Sequence, residues 1–250
     1  MNKKSLRIIG IVLFLFGTFL FVYIGALSIW GEIEASFFNS ALRSDQPLKG
    51  LRCPAFITSN EIGKVSKEFI NISEKSVDLE VRTYISDGYV TLLNEIIRKF
   101  TLAPGESEIV EVPFTEEDAA YKRIIMVRMH QMKRYSFPYQ NASCGVVLIN
   151  IPFITGTQFL IIATSLAAVC SVGGIVLWKV NAKPIIWKRS KIFKAMIFLL
   201  STAIILTIFS LLNYWGIAII ITVIWLLMGT GMIWQFSTTS RKKDVPEIED

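Results

Sequence analysis

The sequence predicts an α+β membrane protein: four transmembrane α-helices and one extracytoplasmic antiparallel β-sandwich inserted between helices 1 and 2. Three observations predict it. Charge is absent from residues 8–31, 135–178 and 195–240. The Lys and Arg residues nearest the apolar runs gather on segments that a four-span chain puts on one side. Between the first two spans, short runs alternate apolar and polar residues and are separated by turn signals.

The chain has 250 residues, 52% of them hydrophobic and 18% charged, against about 25% charged in ordinary soluble domains. Mean hydropathy is +0.51. A spanning helix needs about 20 apolar residues to cross about 30 Å of hydrocarbon at about 1.5 Å per residue. Residues 8–30 supply the first span. Lys3, Lys4 and Arg7 before it also suit a signal peptide, but the run is longer than the ~7–15 residues of a signal core, so it reads as an uncleaved anchor. Residues 157–178 form the second span. The uncharged stretch before it holds Pro138, Asn141, Cys144, Asn150 and Pro152, and reads as loop and strand. Residues 195–212 and 217–234 are the third and fourth spans, joined by a turn at 213–216, where Tyr214 and Trp215 are interfacial aromatics.

Orientation follows from the cations. Residues 1–7, the loop 179–194 and the tail 235–250 hold 12 Lys and Arg, and the turn 213–216 holds none. The positive-inside rule places both termini and the 179–194 loop in the cytoplasm of a multi-pass cell-membrane protein. Residues 31–156 then lie outside, with 14 Lys/Arg against 16 Asp/Glu. The basic pI of 9.2 therefore comes from cytoplasmic flanks, and nucleic-acid binding has no support. In the 179–194 loop, Lys183, Lys188, Arg189, Lys191 and Lys194 alternate with apolar residues. They read either as a face lying on an anionic leaflet or as plain topogenic charge.

Outside, residues 31–50 read as a stalk whose Phe37 and Phe38 reach the membrane interface. Residues 51–154 read as the sandwich. Val77, Leu79, Val81, Thr83 and Ile85 share one face of a half-buried strand. Ser86-Asp87-Gly88 turns the chain. Residues 89–101 fit a helix as well as a strand with a bulge. Further strands cover 109–112, 123–132 and 145–151, with a corner at 115–120. On the 123–132 strand, Ile124, Met126, Arg128 and His130 share one face, and Ile125, Val127 and Met129 the other.

Leu102-Ala103-Pro104-Gly105-Glu106-Ser107, a Val-rich strand, and then Asp118-Ala119-Ala120-Tyr121 before another strand resemble the immunoglobulin-like and fibronectin-III-like sandwiches of cell-surface proteins. The resemblance implies a fold corner at Asp118 and Tyr121, in which the tyrosine bonds back to the backbone. The chain departs from the immunoglobulin pattern: Tyr121 stands one residue nearer the Asp, no Cys follows two residues later, and the core Trp is missing. The four-span layout is similar to claudin-type proteins, without their Trp/Cys-Cys signature.

Of three cysteines, Cys53 and Cys144 bracket the sandwich on the side where disulfides persist. They read as a disulfide, with two separately buried thiols as the alternative. Cys170 reads as a packing residue within a span. His130, the one histidine, lacks companions for a metal site and reads as a surface residue. Glu116-Glu117-Asp118 reads as a solvated corner, not a calcium loop. Asn71-Ile72-Ser73 and Asn141-Ala142-Ser143 are glycosylation sequons. No catalytic, cofactor-binding or metal-binding constellation emerges, and no cofactor is expected. The spans carry no Asp, Glu, Lys, Arg or His, so they offer no ion path. Ala163, Ser165, Ala167, Ala168, Gly173, Gly174, Gly229 and Gly231 offer close-packing faces.

These readings favour a non-enzymatic integral membrane protein with structural or protein-interaction roles. Its partners are the bilayer and another membrane or envelope protein. An accessory subunit of a transporter or channel is the second reading. An ectodomain enzyme built on carboxylates such as Asp87, Glu95 and Asp118 is the third.

Overall fold

Val77, Leu79, Val81, Thr83 and Ile85 do form one buried face, and the strand that carries them is the hub of a sheet. A computed structural model describes residues 3–39, 46–132, 139–181 and 191–241. The elements are α1 (Lys3–Asn39), β1 (Gln46–Pro47), β2 (Phe56–Thr58), β3 (Gly63–Ile70), β4 (Val77–Asp87), β5 (Tyr89–Leu102), β6 (Ser107–Phe114), a 3-10 turn at Glu116–Asp118, β7 (Ile124–Gln131), β8 (Gln140–Ile149), α2 (Gly156–Asn181), α3 (Lys191–Leu211) and α4 (Trp215–Arg241). The chain divides into two compact units, residues 26–161 and residues 1–25 with 162–250.

The first unit is a sandwich. One sheet has the order β1-β8-β7-β4-β5, with β2 also pairing β8; the other is the β3-β6 pair. Their inner faces meet in one core. Val65 and Phe69 of β3 and Val110, Val112 and Phe114 of β6 pack with Leu79, Val81 and Ile85 of β4, Ile125, Val127 and Met129 of β7, and Val146 of β8. Apolar residues at period two on facing strands bury themselves this way, with polar residues turned out.

The expected all-antiparallel sheet is corrected at one edge. β1 and β2 run parallel to β8. They occupy two ends of its edge, β1 against Gln140 and Asn141, β2 against Val147 to Ile149. The stretch of β8 between them holds Cys144. The expected stalk is corrected too: α1 continues to Asn39, and β1 with buried Leu48 already belongs to the sandwich. The ambiguous segment 89–101 is a strand, because β4 offers it a full antiparallel register from Val77↔Leu102 to Ser86↔Leu93. Gly88, at φ +66, supplies the left-handed turn that joins the two strands.

The sandwich hands over to α2 through a small polar clasp. The Glu61 carboxylate accepts from the Thr58 amide at 2.9 Å and from the Gly156 amide at 2.7 Å. Thr58 Oγ1 bonds the Ile154 carbonyl. Thr155 and Gln158 cap the helix reciprocally: Gln158 N donates to Thr155 Oγ1 at 3.2 Å, and Thr155 N to Gln158 Oε1 at 3.0 Å.

In the second unit, residues 10–17 of α1 pack on α2 with backbones in close approach. A Cβ on Gly174 would lie 2.5 Å from Phe14 N and 2.6 Å from Gly10 O. A Cβ on Gly17 would lie 2.6 Å from Ala167 O. Small residues let helix backbones approach in lipid. Of the glycines expected to do this, Gly174 does, whereas Gly229 and Gly231 have nothing within 4 Å; Gly10 and Gly17 are the unanticipated half of the seam. Thr207 Oγ1 donates to the Phe21 carbonyl at 3.0 Å. Cys170 is buried and unpaired.

Among the described residues, three helices are long and apolar enough to cross a membrane, within Ser5–Phe38, Gly156–Asn181 and Ile192–Leu211; Trp215–Gly231 is a shorter apolar helix. α3 ends where Asn213 takes φ 63 and Tyr214 N donates back to Phe209 O at 3.0 Å, a helix stop that leaves residues 212–214 between the end of α3 at Leu211 and the start of α4 at Trp215.

Candidate binding face of the sandwich

Over β7, the outer face of the large sheet is not a solvent face. Every residue of β7 is buried. Residues 26–39 of α1 cover this side, which the sequence left open. Gly31 and Gly145 of β8 meet backbone to backbone: a Cβ on Gly145 would overlap the Gly31 carbonyl. The Glu32 carboxylate accepts from the Gly145 amide at 3.3 Å. Phe38 packs with Ala120, Ile124 and Met126.

Next along β7 is a polar layer. The Arg128 guanidinium stacks 4.7 Å from the Tyr84 ring and 5.3 Å from the Phe38 ring, and its Nη1 donates to the Phe38 carbonyl at 3.0 Å. Its planar cation suits both contacts. Burial pulls the guanidinium below its ordinary pKa. His130 is corrected from a surface residue to a buried one, 1% exposed. It lies edge-on to Tyr84 and stacks on Tyr139, whose hydroxyl is 2.9 Å from Nδ1. Burial first, then Arg128 and Arg82 nearby, lower the His130 pKa to about 4. A neutral imidazole is the consequence near pH 7. Tyr84 in turn donates to Glu95 at 2.8 Å, and Arg82 bridges Glu80 at 2.8 Å and Glu95 at 3.4 Å.

Beside this layer is a cavity of about 230 Å³ walled by Trp30, Val90, Ala120, Ile124 and Met126, with Glu34, Tyr121 and Arg123 also lining it. Trp30 Nε1 donates to Glu34 at 3.3 Å.

The far edge of the same sheet is β5. Among the described residues it pairs only with β4, and no strand pairs along the other side of its fourteen residues. Tyr89, Leu92, Leu93 and Ile97 are 61%, 51%, 41% and 45% exposed. No sequence signal marked this strand as an edge, since edge status depends on which strands pair.

The remaining candidate residues fall as follows. Cys53 and Cys144 form a disulfide, with Cα atoms 6.5 Å apart. It ties the segment between β1 and β2 to the middle of β8. The corner keeps Asp118 but not the tyrosine bond. Thr115 N donates to Asp118 at 2.7 Å, and Ser86 Oγ donates to the Asp118 carbonyl at 2.7 Å while accepting from Met126 N at 3.0 Å. Tyr121 and Lys122 take φ 54 and 53 in a tight turn that brings Ala120 opposite Ile124. That conformation turns the Tyr121 side chain outward, 67% exposed, so Ser86 is the fastener instead. Asn71 is fully buried; its Nδ2 donates to the carbonyls of Lys75, Leu102 and Ala103. Asn141 is also buried, within β8. The folded chain thus presents neither sequon. Glu95 and Asp118 each serve local partners, Tyr84 with Arg82 and Thr115. Among the described residues no three His, Cys, Asp or Glu side chains gather as a metal site would require. Lys183, Lys188 and Arg189 lie outside the described residues, as does the side chain of Lys191; Lys194 is exposed on the first turn of α3.

No protein-family model matches the chain, and no curated protein matches it. Solved structures similar to part of it include the CARDB domain of the PF1109 protein from Pyrococcus furiosus, at 14% identity and TM-score 0.32, over 40% of this chain and 90% of that one. CARDB domains have an immunoglobulin-like β-sandwich fold. Bacteroides uniformis β-glucuronidase 2 is similar at 18% identity and TM-score 0.29, over 39% of this chain and 12% of that one. A β-glucosidase from Listeria innocua is similar at 16% identity and TM-score 0.29, over 41% and 16%. At these values the likenesses assign no role, and the sandwich rests on its own strand pairing.

Proposed function

We propose that this is a non-enzymatic membrane protein whose sandwich holds an extended segment of another membrane or envelope protein along the free edge of β5. One observation carries it: a fourteen-residue edge strand with Tyr89, Leu92, Leu93 and Ile97 exposed. Soluble folds blunt such edges with charge, proline or bulges, because unpaired amides and carbonyls recruit another strand. Strand addition uses those backbone groups for affinity and alternate side chains for specificity. On β5 the cations Arg98 and Lys99 guard only the second half, leaving the stretch 89–97 apolar apart from Thr91, Asn94 and Glu95.

The reading places both termini in the cytoplasm and residues 31–156 outside. Support comes from the cation distribution and from the Cys53–Cys144 disulfide, a bond that persists in oxidising compartments.

The test is a photocrosslinking residue at position 92 or 97 of the full chain in its native membrane. A discrete crosslinked partner is expected, lost from the position-92 probe in Ile97→Lys and retained in Lys64→Ala on the opposite sheet. Unchanged crosslinking in Ile97→Lys, or no adduct at either position, would overturn the proposal. A partner with many spans and transport activity would identify the chain as an accessory subunit.

A further inference from the structure

We propose that the cavity beside Trp30 holds an acyl chain of a membrane phospholipid, with the phosphate at Arg123. The inference rests on the reading of the first apolar run as a span. That run, residues 8–30, covers about 34 Å as a helix, close to the ~30 Å of bilayer hydrocarbon. Trp30 closes it, the residue type that settles at the headgroup level. The cavity therefore opens at the depth where acyl chains meet headgroups.

Its chemistry suits that occupant. Trp30, Val90, Ala120, Ile124 and Met126 give an apolar wall, which offers a hydrocarbon chain burial and offers a polar ligand little. Arg123 supplies the cation. Its backbone is fixed, N to Ala120 O at 3.1 Å and O from Leu148 N at 2.8 Å, while its side chain forms no ion pair among the described residues. A guanidinium so held can take a phosphate through two parallel donors. Lys122 adds a second exposed cation to the same turn. Exposed Tyr121 at the lining is amphipathic, as residues at a lipid interface are. Glu34 is held by Trp30 Nε1 and opposes an anion there, so Arg123 sets the headgroup position.

The test uses the full chain in nanodiscs containing phosphatidylglycerol or phosphatidylcholine with a diazirine on the acyl chain, and maps adducts by mass spectrometry. Adducts on β5 and β7 peptides carrying Val90 and Met126 are expected. Val90→Trp, which fills the cavity from the edge strand, lowers them at least about fivefold. Arg123→Gln, an exposed change, lowers labelling by both lipids about threefold, because each carries the phosphate that Arg123 holds. Protection of the Cys53–Cys144 disulfide from mild reductant, read by alkylation and equal to that of the unmutated chain, shows that Val90→Trp is folded; if it is not, the Arg123→Gln comparison decides alone. Adducts confined to the helices, or strand adducts indifferent to both variants, overturn the proposal. Release of the protein by alkaline carbonate instead overturns the span reading.

Discussion

Gly145 of β8 and Gly31 of α1 touch through their backbones, and the Gly145 amide donates to the neighbouring Glu32 carboxylate at 3.3 Å. This contact lays residues 26–39 of α1 on the outer face of the sheet. It explains why β7 is buried on both faces. Gly145→Ala places a Cβ into the Gly31 carbonyl and forces the helix end away. The expected cost is about 1–3 kcal/mol. Denaturation of the full chain in detergent, followed by circular dichroism in the β-sheet region, checks it; an unchanged midpoint would mean that the sheet absorbs the methyl.

Stability falls with acid because of His130. Its folded pKa of about 4 lies below the ordinary 6.5. Above pH 6.5 folded and unfolded states are both neutral there, and the stability is fully present. As pH falls from 6.5 through 4 the unfolded state binds the proton first, so up to ~3 kcal/mol is lost across that window. His130→Gln flattens this part of the pH profile. Equal pH slopes in the two proteins between pH 6.5 and 4 would refute it.

The disulfide closes a separation of 91 residues. Cys144 lies in the core at a part of β8 that neither β1 nor β2 pairs. Replacing both cysteines by Ser removes a cross-link worth ~4 kcal/mol in the chain-entropy model. Urea titration with and without reductant measures it. The loss should match that produced by reducing the unmutated chain.

Gly174→Leu wedges α2 away from Gly10 and Phe14. Gly229→Leu, in open space, serves as control. The expected outcome is a lower aggregation temperature in detergent for the first and none for the second. Identical temperatures would show that the seam yields to a large side chain.

How much was legible beforehand follows from the range of each interaction. The apolar middles of the helices were legible, because an uncharged run is a local property; their ends were not, and α1 runs on to Asn39. The half-buried face of β4 was legible because alternation is local too. Cys53 and Cys144 were legible as a pair by their placement at the two ends of the domain. The buried state of His130 was not: the same Ile-Ile-Met-Val-Arg-Met-His run is half-exposed in an open sheet and fully buried once a helix covers it. Tyr121 misled because its local motif matched while its φ of 54 did not.

The sequence by itself determined the apolar runs, the strand alternation and the cation placement, because hydropathy and charge act residue by residue along the chain. Only the tertiary structure decided that β1 and β2 join β8 in parallel, that α1 seals one sheet face through Gly31 and Gly145, and that β5 is left as an edge. Those outcomes depend on pairing between residues far apart in sequence, where backbone hydrogen bonds carry no side-chain label and a missing Cβ matters only once another backbone lies against it.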